Sequence, residues 1–396
     1  MAIKLKPLRD QVMVITGASS GIGLATARAA ARQGAKLVLT ARNEESLQNA
    51  VNEINATGGR AVHVAADIAD RNQVQQVADA AVRHFGGFDT WVNVAGISIY
   101  GRLQEVSDED HHRLFETNFW GIVYASRIAV AHLKQRGGAL INIGSVASDV
   151  PMPLQGMYVA SKHAVKGFTN VLRLELQQEG APVSVTLIKP AGINTPFPHH
   201  AKNYLDHEPK LPPPAYQPEE VAYAILHAAT HPEREIFIGS AGKMMSTFQK
   251  LAPKAMEWVS RKVMTTQQYR NEPPRRRGDA LYGAGRDGLV HGDQPGYVMK
   301  KSLYTRASLR PVLAGALLAG AGLLALAYAG RGRIKNRLAG SDGTSAQDRT
   351  PVQDVRADQE GTIIREGTSG TSAQDVTIIR DVTLTRDGTL VQNGTV

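Results

Sequence analysis

The chain has no cysteine among its 396 residues, so disulfides and thiolate metal sites are both excluded, and residue usage does not report the redox compartment. It lacks the N-terminal apolar stretch and small-residue cleavage site of a signal peptide. MAIKLKPLRDQVMVITG runs directly into a strand pattern, and no cleaved leader is expected. A basic surface is missing from most of the sequence. The net charge of +9 is concentrated between Lys250 and Arg337, where 17 Lys and Arg stand against 5 Asp and Glu; the remainder is slightly acidic. That distribution argues against a nucleic-acid partner for the main domain.

What is present reads as one large α/β domain with extras. Between about 11 and 240, short apolar or β-branched runs alternate with amphipathic helical stretches, the pattern of repeated βαβ units. Strands are predicted at about 12–16, 36–40, 61–65, 89–94, 139–143, 183–188 and 235–238. Helices are predicted at about 22–33, 44–57, 71–85, 107–135, 158–180 and 218–230. Seven strands with helices on both faces make a doubly wound parallel sheet, whose ligand crevice lies at the carboxyl ends of the strands.

The first strand ends in Thr16-Gly17-Ala18-Ser19-Ser20-Gly21-Ile22-Gly23 and a helix opens at once. Glycines there let backbone approach a pyrophosphate, which free N–H groups and the dipole of a helix N-terminus attract. The second strand ends at Thr40-Ala41-Arg42 without the carboxylate that an NAD site usually places against the ribose 2′-hydroxyl. Arg42 is suited to a 2′-phosphate, which favours NADP(H). Glu44 and Glu45 read as first-turn helix acids.

A third constellation is Ser145-x12-Tyr158-x3-Lys162. Tyr158 and Lys162 share one helix face, one turn apart. An ammonium beside a phenol lowers the phenol's pKa from about 10 towards neutrality, so Tyr158 is expected to exchange a proton with a carbonyl or alcohol oxygen. Ser145 is placed to hold that same oxygen.

Together with Asp67, Asn93-Val-Ala-Gly96, Asn118 and Pro190-Ala-Gly-Ile-Asn-Thr195, these motifs stand in the order and spacing of the short-chain dehydrogenase/reductase family, which residues 8–242 resemble. The resemblance implies a Rossmann-type domain over 1–243 and a catalytic tetrad of Asn118, Ser145, Tyr158 and Lys162. It implies a cofactor site formed by Thr16, Gly17, Ser19, Ser20, Gly21, Ile22, Gly23 and Arg42. Asp67 and Ile68 would meet the adenine, and Asn93, Ala95 and Gly96 would line the nucleotide. Pro190, Ile193 and Thr195 would hold the nicotinamide, whose ribose Tyr158 and Lys162 would also reach. Asn118 would hold a water linking Lys162 to solvent. Two departures, Val94 for the family's second asparagine and Ala191 for its glycine, remove no catalytic group.

Residues 196–217 occupy the place of the family's substrate lid. His199, His200 and His207 there read as solvated loop residues, and no metal is expected. After Gly242 the family pattern ends. Residues 244–264 carry Met245, Phe248, Leu251, Met256, Val259 and Val263 at helical spacing, which fits either a helix packed on the domain or one in a membrane interface with Trp258 at headgroup level. Residues 265–308 read as a loosely ordered basic linker. Pro311 to Gly330 holds twenty residues without a charge, long enough for a transmembrane helix. Residues 331–396, with GTSAQD and TIIR each occurring twice, read as a disordered tail.

The functional expectation is a membrane-anchored, single-pass NADP(H)-dependent oxidoreductase, its catalytic domain facing the cytoplasm, acting on a hydrophobic carbonyl or alcohol. Membrane lipid and further copies of the chain are the expected partners. An NADP(H)-binding scaffold or sensor without turnover, and a lyase or epimerase with no net redox change, are the alternatives.

Overall fold

The computed structural model describes residues 3–275, 278–310, 382–384 and 390–392. Strands and helices alternate from the start: β1 (Val12–Thr16), α1 (Gly21–Ala31), β2 (Lys36–Ala41), α2 (Glu44–Ala56), β3 (Arg60–Ala65), α3 (Arg71–Phe85) and β4 (Thr90–Asn93). A two-residue β5 (Ile99–Tyr100) leads to α4 (Asp108–Phe115) and α5 (Gly121–Arg136). Then come β6 (Gly138–Ile143), α6 (Gly156–Gln178), β7 (Val183–Pro190) and the short β8 (Gly192–Ile193), α7 (Phe197–His200), β9 (Lys202–Asn203) and β10 (Ala215–Tyr216). The helix α8 (Pro218–Ala228) and β11 (Glu235–Ile238) close the sheet, and α9 (Ser240–Leu251), α10 (Pro253–Val259), β12 (Val298–Met299) and α11 (Leu303–Ser308) follow.

The main sheet has the order β11-β7-β6-β4-β1-β2-β3, and all its pairings are parallel. Strands covered on both faces carry unbroken apolar runs, and every residue of β1 is buried. On one face Leu24 and Ala27 of α1, Leu47 of α2 and Val221 and Ile225 of α8 pack against the sheet; on the other, Val74 and Val77 of α3, Ala129 and Leu133 of α5 and Leu176 of α6 do so. Local signals set the helix ends. Asn43 caps α2 by accepting from Ser46 N–H, and Asp70 caps α3 by accepting from Asn72 and Gln73. The strand order reverses between β1 and β4, which opens a crevice above their carboxyl ends.

Three expectations are corrected. The single helix expected over 107–135 is interrupted by a π-helical turn, Glu116–Trp120, which joins α4 to α5. Such turns insert a residue into the helical ladder and re-aim side chains. The stretch 265–308 is not a loose linker, and the domain does not end at 243: the described residues to Arg310 belong to one compact unit. Beyond 265 the chain runs back over the domain, where β12 pairs with β10 and Arg306 of α11 meets the buried Glu220 at 2.9 Å. Thr305 donates to the Phe237 carbonyl. Basic residues that read as solvated have carboxylate partners instead, such as Arg270 and Arg275 on Asp293.

The expected span 311–330 lies outside the described residues, as does most of the tail. Among the described residues no helix is long and apolar enough to cross a membrane. Within the tail, β13 (Val382–Leu384) and β14 (Leu390–Gln392) form an antiparallel pair in a second unit.

Candidate active site

A cavity of about 600 Å³ runs along the carboxyl ends of the strands, within the usual size of a ligand site. Its walls carry Gly17, Ser19, Arg42 and Asp67, from the ends of β1, β2 and β3, together with Ser145, Tyr158 and Lys162 from the end of β6 and from α6. Thr195 lies against the glycine turn, 3.1 Å from where a Cβ on Gly21 would stand.

The glycine turn has the geometry that a close backbone approach requires. Gly17 holds φ +66°, and a Cβ there would meet the Ala95 backbone at 2.8 Å; a Cβ on Gly23 would lie 2.0 Å from the Gly17 carbonyl oxygen. No side chain caps α1 at Ser20, but the Gly21 N–H donates to the Leu289 carbonyl at 2.9 Å, so the returning chain takes that group of the helix N-terminus. This cradle, with Ser19, Ser20, Gly21, Ile22, Ile68, Ala95, Gly96, Pro190, Ile193 and Thr195 also on the wall, fits an extended dinucleotide. Thr16 and Asn93 are not on that wall. Thr16 Oγ1 accepts from the N–H groups of Val94 and Ala95 at 3.0 and 3.2 Å and so fixes the loop after β4 to the end of β1. The Asn93 amide is buried in the sheet, donating to Asn142 at 2.8 Å and accepting from Trp91 Nε1 at 2.9 Å.

Three elements bring the catalytic candidates together. Ser145 follows β6 and caps a short 3₁₀ turn, where its Oγ accepts from Ala147 N–H at 3.1 Å. Tyr158 and Lys162 lie in the first two turns of α6, which begins at Gly156. Tyr158 hydrogen-bonds Ser145, and its ring lies 5.8 Å from that of Phe197. Lys162 Nζ sits 5.7 Å from the Tyr158 ring centre and donates to the Ile143 carbonyl at 3.0 Å. Asn118, on the π-helical turn, accepts from Ile97 N–H at 2.8 Å and donates to the Ile97 carbonyl at 2.9 Å and to Ser161 Oγ at 3.2 Å. Its side chain is a brace between the loop after β4 and α6. Gly96 separates it from Lys162: a Cβ there would stand 3.4 Å from Asn118 Oδ1 and 3.7 Å from Lys162 Nζ.

The expected lowering of the Tyr158 pKa does not occur. Burial pushes the phenol up to about 12, against which the Ser145 hydrogen bond acts in the opposite direction, and burial pulls Lys162 down to about 8. Desolvation of the charged form is the largest cause in each. Tyr158 is a neutral phenol at pH 7, the form that donates a proton.

Several contacts had no sequence signal. Asp67 is paired with Arg113 of α4, whose Nε donates to the Leu281 carbonyl at 3.1 Å. Arg42 donates to the carbonyls of Ala280 and Leu281. His199 meets Asp293 at 2.6 Å, His200 meets the Arg286 carbonyl at 2.9 Å, and His207 stacks on Tyr269. These histidines hold the C-terminal segment; among the described residues no group of three potential ligands could hold a metal.

The parallel sheet, glycine turn and Ser-Tyr-Lys cluster define a nucleotide-dependent oxidoreductase. Residues 11–204 match the short chain dehydrogenase family, and the chain belongs to it. An uncharacterized oxidoreductase of Bacillus subtilis, YxnA, is 46% identical over 335 residues, which is 84% of this chain and 94% of that protein. That span exceeds 243 residues, so the likeness extends into the C-terminal segment. The 11-beta-hydroxysteroid dehydrogenase A of Sesamum indicum is 33% identical over 262 residues, 63% of this chain and 74% of that one. A short chain dehydrogenase/reductase from Burkholderia phymatum, solved in complex with NAD, superposes with a TM-score of 0.58 at 28% identity, covering 63% of this chain and 96% of that one.

Proposed function

We propose that this chain transfers hydride between NADP(H) and the carbonyl or alcohol carbon of a bulky apolar substrate, with Tyr158 as general acid and base. The observation that carries the reading is the convergence of Ser145, Tyr158 and Lys162 in the same cavity that Arg42 and the glycine turn line. The nicotinamide, when bound, supplies the hydride. Tyr158 gives its proton to the carbonyl oxygen in reduction and takes it back in oxidation. Ser145 holds that oxygen by hydrogen bond, and the Lys162 ammonium favours the phenolate that Tyr158 becomes. Asn118 keeps α6 and the loop after β4 in register. Arg42 favours NADP(H) through the 2′-phosphate.

The substrate class is supported by the cavity wall. Met152, Met244, Met245, Met256 and Met264 line it, five of the nine methionines in the chain. Unbranched, polarizable side chains of this kind adapt to large apolar ligands. The steroid dehydrogenase named above points the same way. Turnover with apolar ketones, followed as NADPH absorbance at 340 nm, tests the reading; the scaffold alternative expects binding without any loss of absorbance.

The two shifted groups set the pH dependence. Below about pH 8 Lys162 is charged and Tyr158 protonated, both as reduction requires. As pH rises through about 8 Lys162 loses its charge, and kcat for reduction is expected to fall about tenfold per unit thereafter. A profile flat from pH 6 to 10 would remove Lys162 from the mechanism.

The uncharged run 311–330 supports single-pass anchoring, with the catalytic unit on the cytoplasmic side, where NADPH is held. Met245, Met256 and Val259 pack with Val146 and Val150, while Met244, Leu251 and Trp258 are exposed. Both readings of the 244–264 stretch thus keep support, an inner packed side and exposed apolar side chains available to lipid. Retention of the full chain in membranes after alkaline carbonate is the expected result, and its release would contradict the span. Exposed Trp120, Val171 and Leu174 on the π-helical turn and α6 support association of two copies, measurable as the mass in sedimentation equilibrium.

A further inference from the structure

Arg42 stands at the end of β2, where a nucleotide's ribose 2′ position is read. The segment 278–293 passes over that place and is bonded to both elements that flank it. The carbonyls of Ala280 and Leu281 accept from Arg42. On the glycine turn, Gly288 N–H donates to the Ser19 carbonyl at 2.9 Å, and the Leu289 carbonyl accepts from Gly21 N–H at 2.9 Å. Between these anchors Asp287 accepts from Ser19 Oγ at 2.8 Å. Its side chain is 9% exposed, it lines the same cavity as Arg42 and Asp67, and it is close enough to Arg42 to interact with its charge. His200 Nε2 lies 3.6 Å away, an ion-pair distance when the imidazole is protonated but beyond hydrogen-bond length. With Ser19 as its hydroxyl donor, the carboxylate retains lone pairs to accept with.

That position has a direct electrostatic consequence. A carboxylate in a low-dielectric wall repels a phosphate dianion placed beside it and accepts readily from a hydroxyl. We infer that Asp287, carried to the glycine turn by the C-terminal segment, is a cofactor-selecting residue: it opposes the 2′-phosphate that Arg42 attracts and accepts from an unphosphorylated ribose, narrowing the preference for NADP(H) over NAD(H). The inference rests on the reading of Arg42 as the 2′-phosphate ligand. No sequence pattern announces it, because the carboxylate that usually ends the second strand is replaced by one 268 positions away from Ser19.

Dissociation constants for NADPH and NADH, measured by nucleotide fluorescence on the full chain in detergent, test it. Removing one repelling charge in Asp287→Asn is expected to tighten NADPH about tenfold and to leave NADH unchanged or about threefold weaker, an effect on the scale of one unit-charge contact. If Asp287→Asn does not fold, Asp287→Ala is measured in its place, with the same NADPH gain and a larger NADH loss expected. A ratio of the two constants within about twofold of wild type overturns the inference. Arg42→Ala decides the other reading separately: NADPH weakened more than about tenfold with NADH unaffected upholds Arg42 as the 2′-phosphate ligand, and equal effects on both nucleotides discard it. The Asp287 ratio is decided on its own measurement in either case.

Discussion

Replacing Tyr158 with phenylalanine is expected to lower kcat by about a hundred- to ten-thousandfold, the range that a positioned acid or base contributes, while the dissociation constant for NADPH changes by less than about twofold. The variant keeps the ring that lies near Phe197 and packs against the apolar cluster that includes Ile97, Leu114 and Leu281, so the fold and the cavity wall persist. It loses the hydroxyl that bonds Ser145 and that must hand a proton to the substrate oxygen. The separation of binding from turnover discriminates the enzyme from a nucleotide-binding scaffold, for which the substitution would be silent. A Tyr158→Phe protein turning over within about tenfold of wild type would show that the proton comes from elsewhere.

Asp149→Asn is expected to destabilise the protein by about 3–5 kcal/mol, the cost of breaking a buried ion pair, read from urea or thermal unfolding of the full chain. The Asp149 and Lys189 side chains are each 1% exposed and 2.6 Å apart. Ser246 of α9 donates to Asp149 at 2.7 Å and Lys166 of α6 pairs with it too. Burial alone would raise this carboxyl, but the hydrogen bonds from Lys166, Lys189 and Ser246 hold it down to about 2. Its folded-state pKa is therefore depressed, so its contribution is complete above the ordinary value of 3.8 and is lost as pH falls through about 2. Asp149 also ties the loop that carries Ser145 to α9, whose Met244 and Met245 line the cavity, so Asp149→Asn should raise KM for an apolar substrate. Unfolding within about 1 kcal/mol of wild type would show that Lys189 is satisfied by Glu235 at 2.8 Å without it.

The seven strands and the site they frame were legible because both depend on local spacing. An unbroken apolar run such as Val12–Thr16 reads as a doubly covered strand, and the glycine turn and the Tyr158–Lys162 interval each fall within a single turn. What escaped depends on long-range placement. Thr16 and Asn93 stand among cofactor motifs, yet their side chains are spent inside the sheet and on the loop after β4. Asn118 sits on a π-helical turn that no periodicity announces, and Tyr158 is governed by burial more than by its neighbour. The largest difference is the segment after 265. Arginine, proline and glycine there have the composition of a solvated linker, and the partners that fold it back, Asp293, Glu220 and Ser19, become visible only once the chain has returned to the domain.

Transfer of deuterium from NADPH labelled at both C4 positions tests the central claim most directly. Incubated with the full chain and a panel of apolar ketones, including keto-steroids, the labelled nucleotide is predicted to place one deuterium on the carbinol carbon of the product alcohol, in step with the fall in absorbance at 340 nm and absent from the Tyr158→Phe protein. An alcohol formed without deuterium, or nucleotide that binds and is never oxidised across the panel, would contradict hydride transfer at this site.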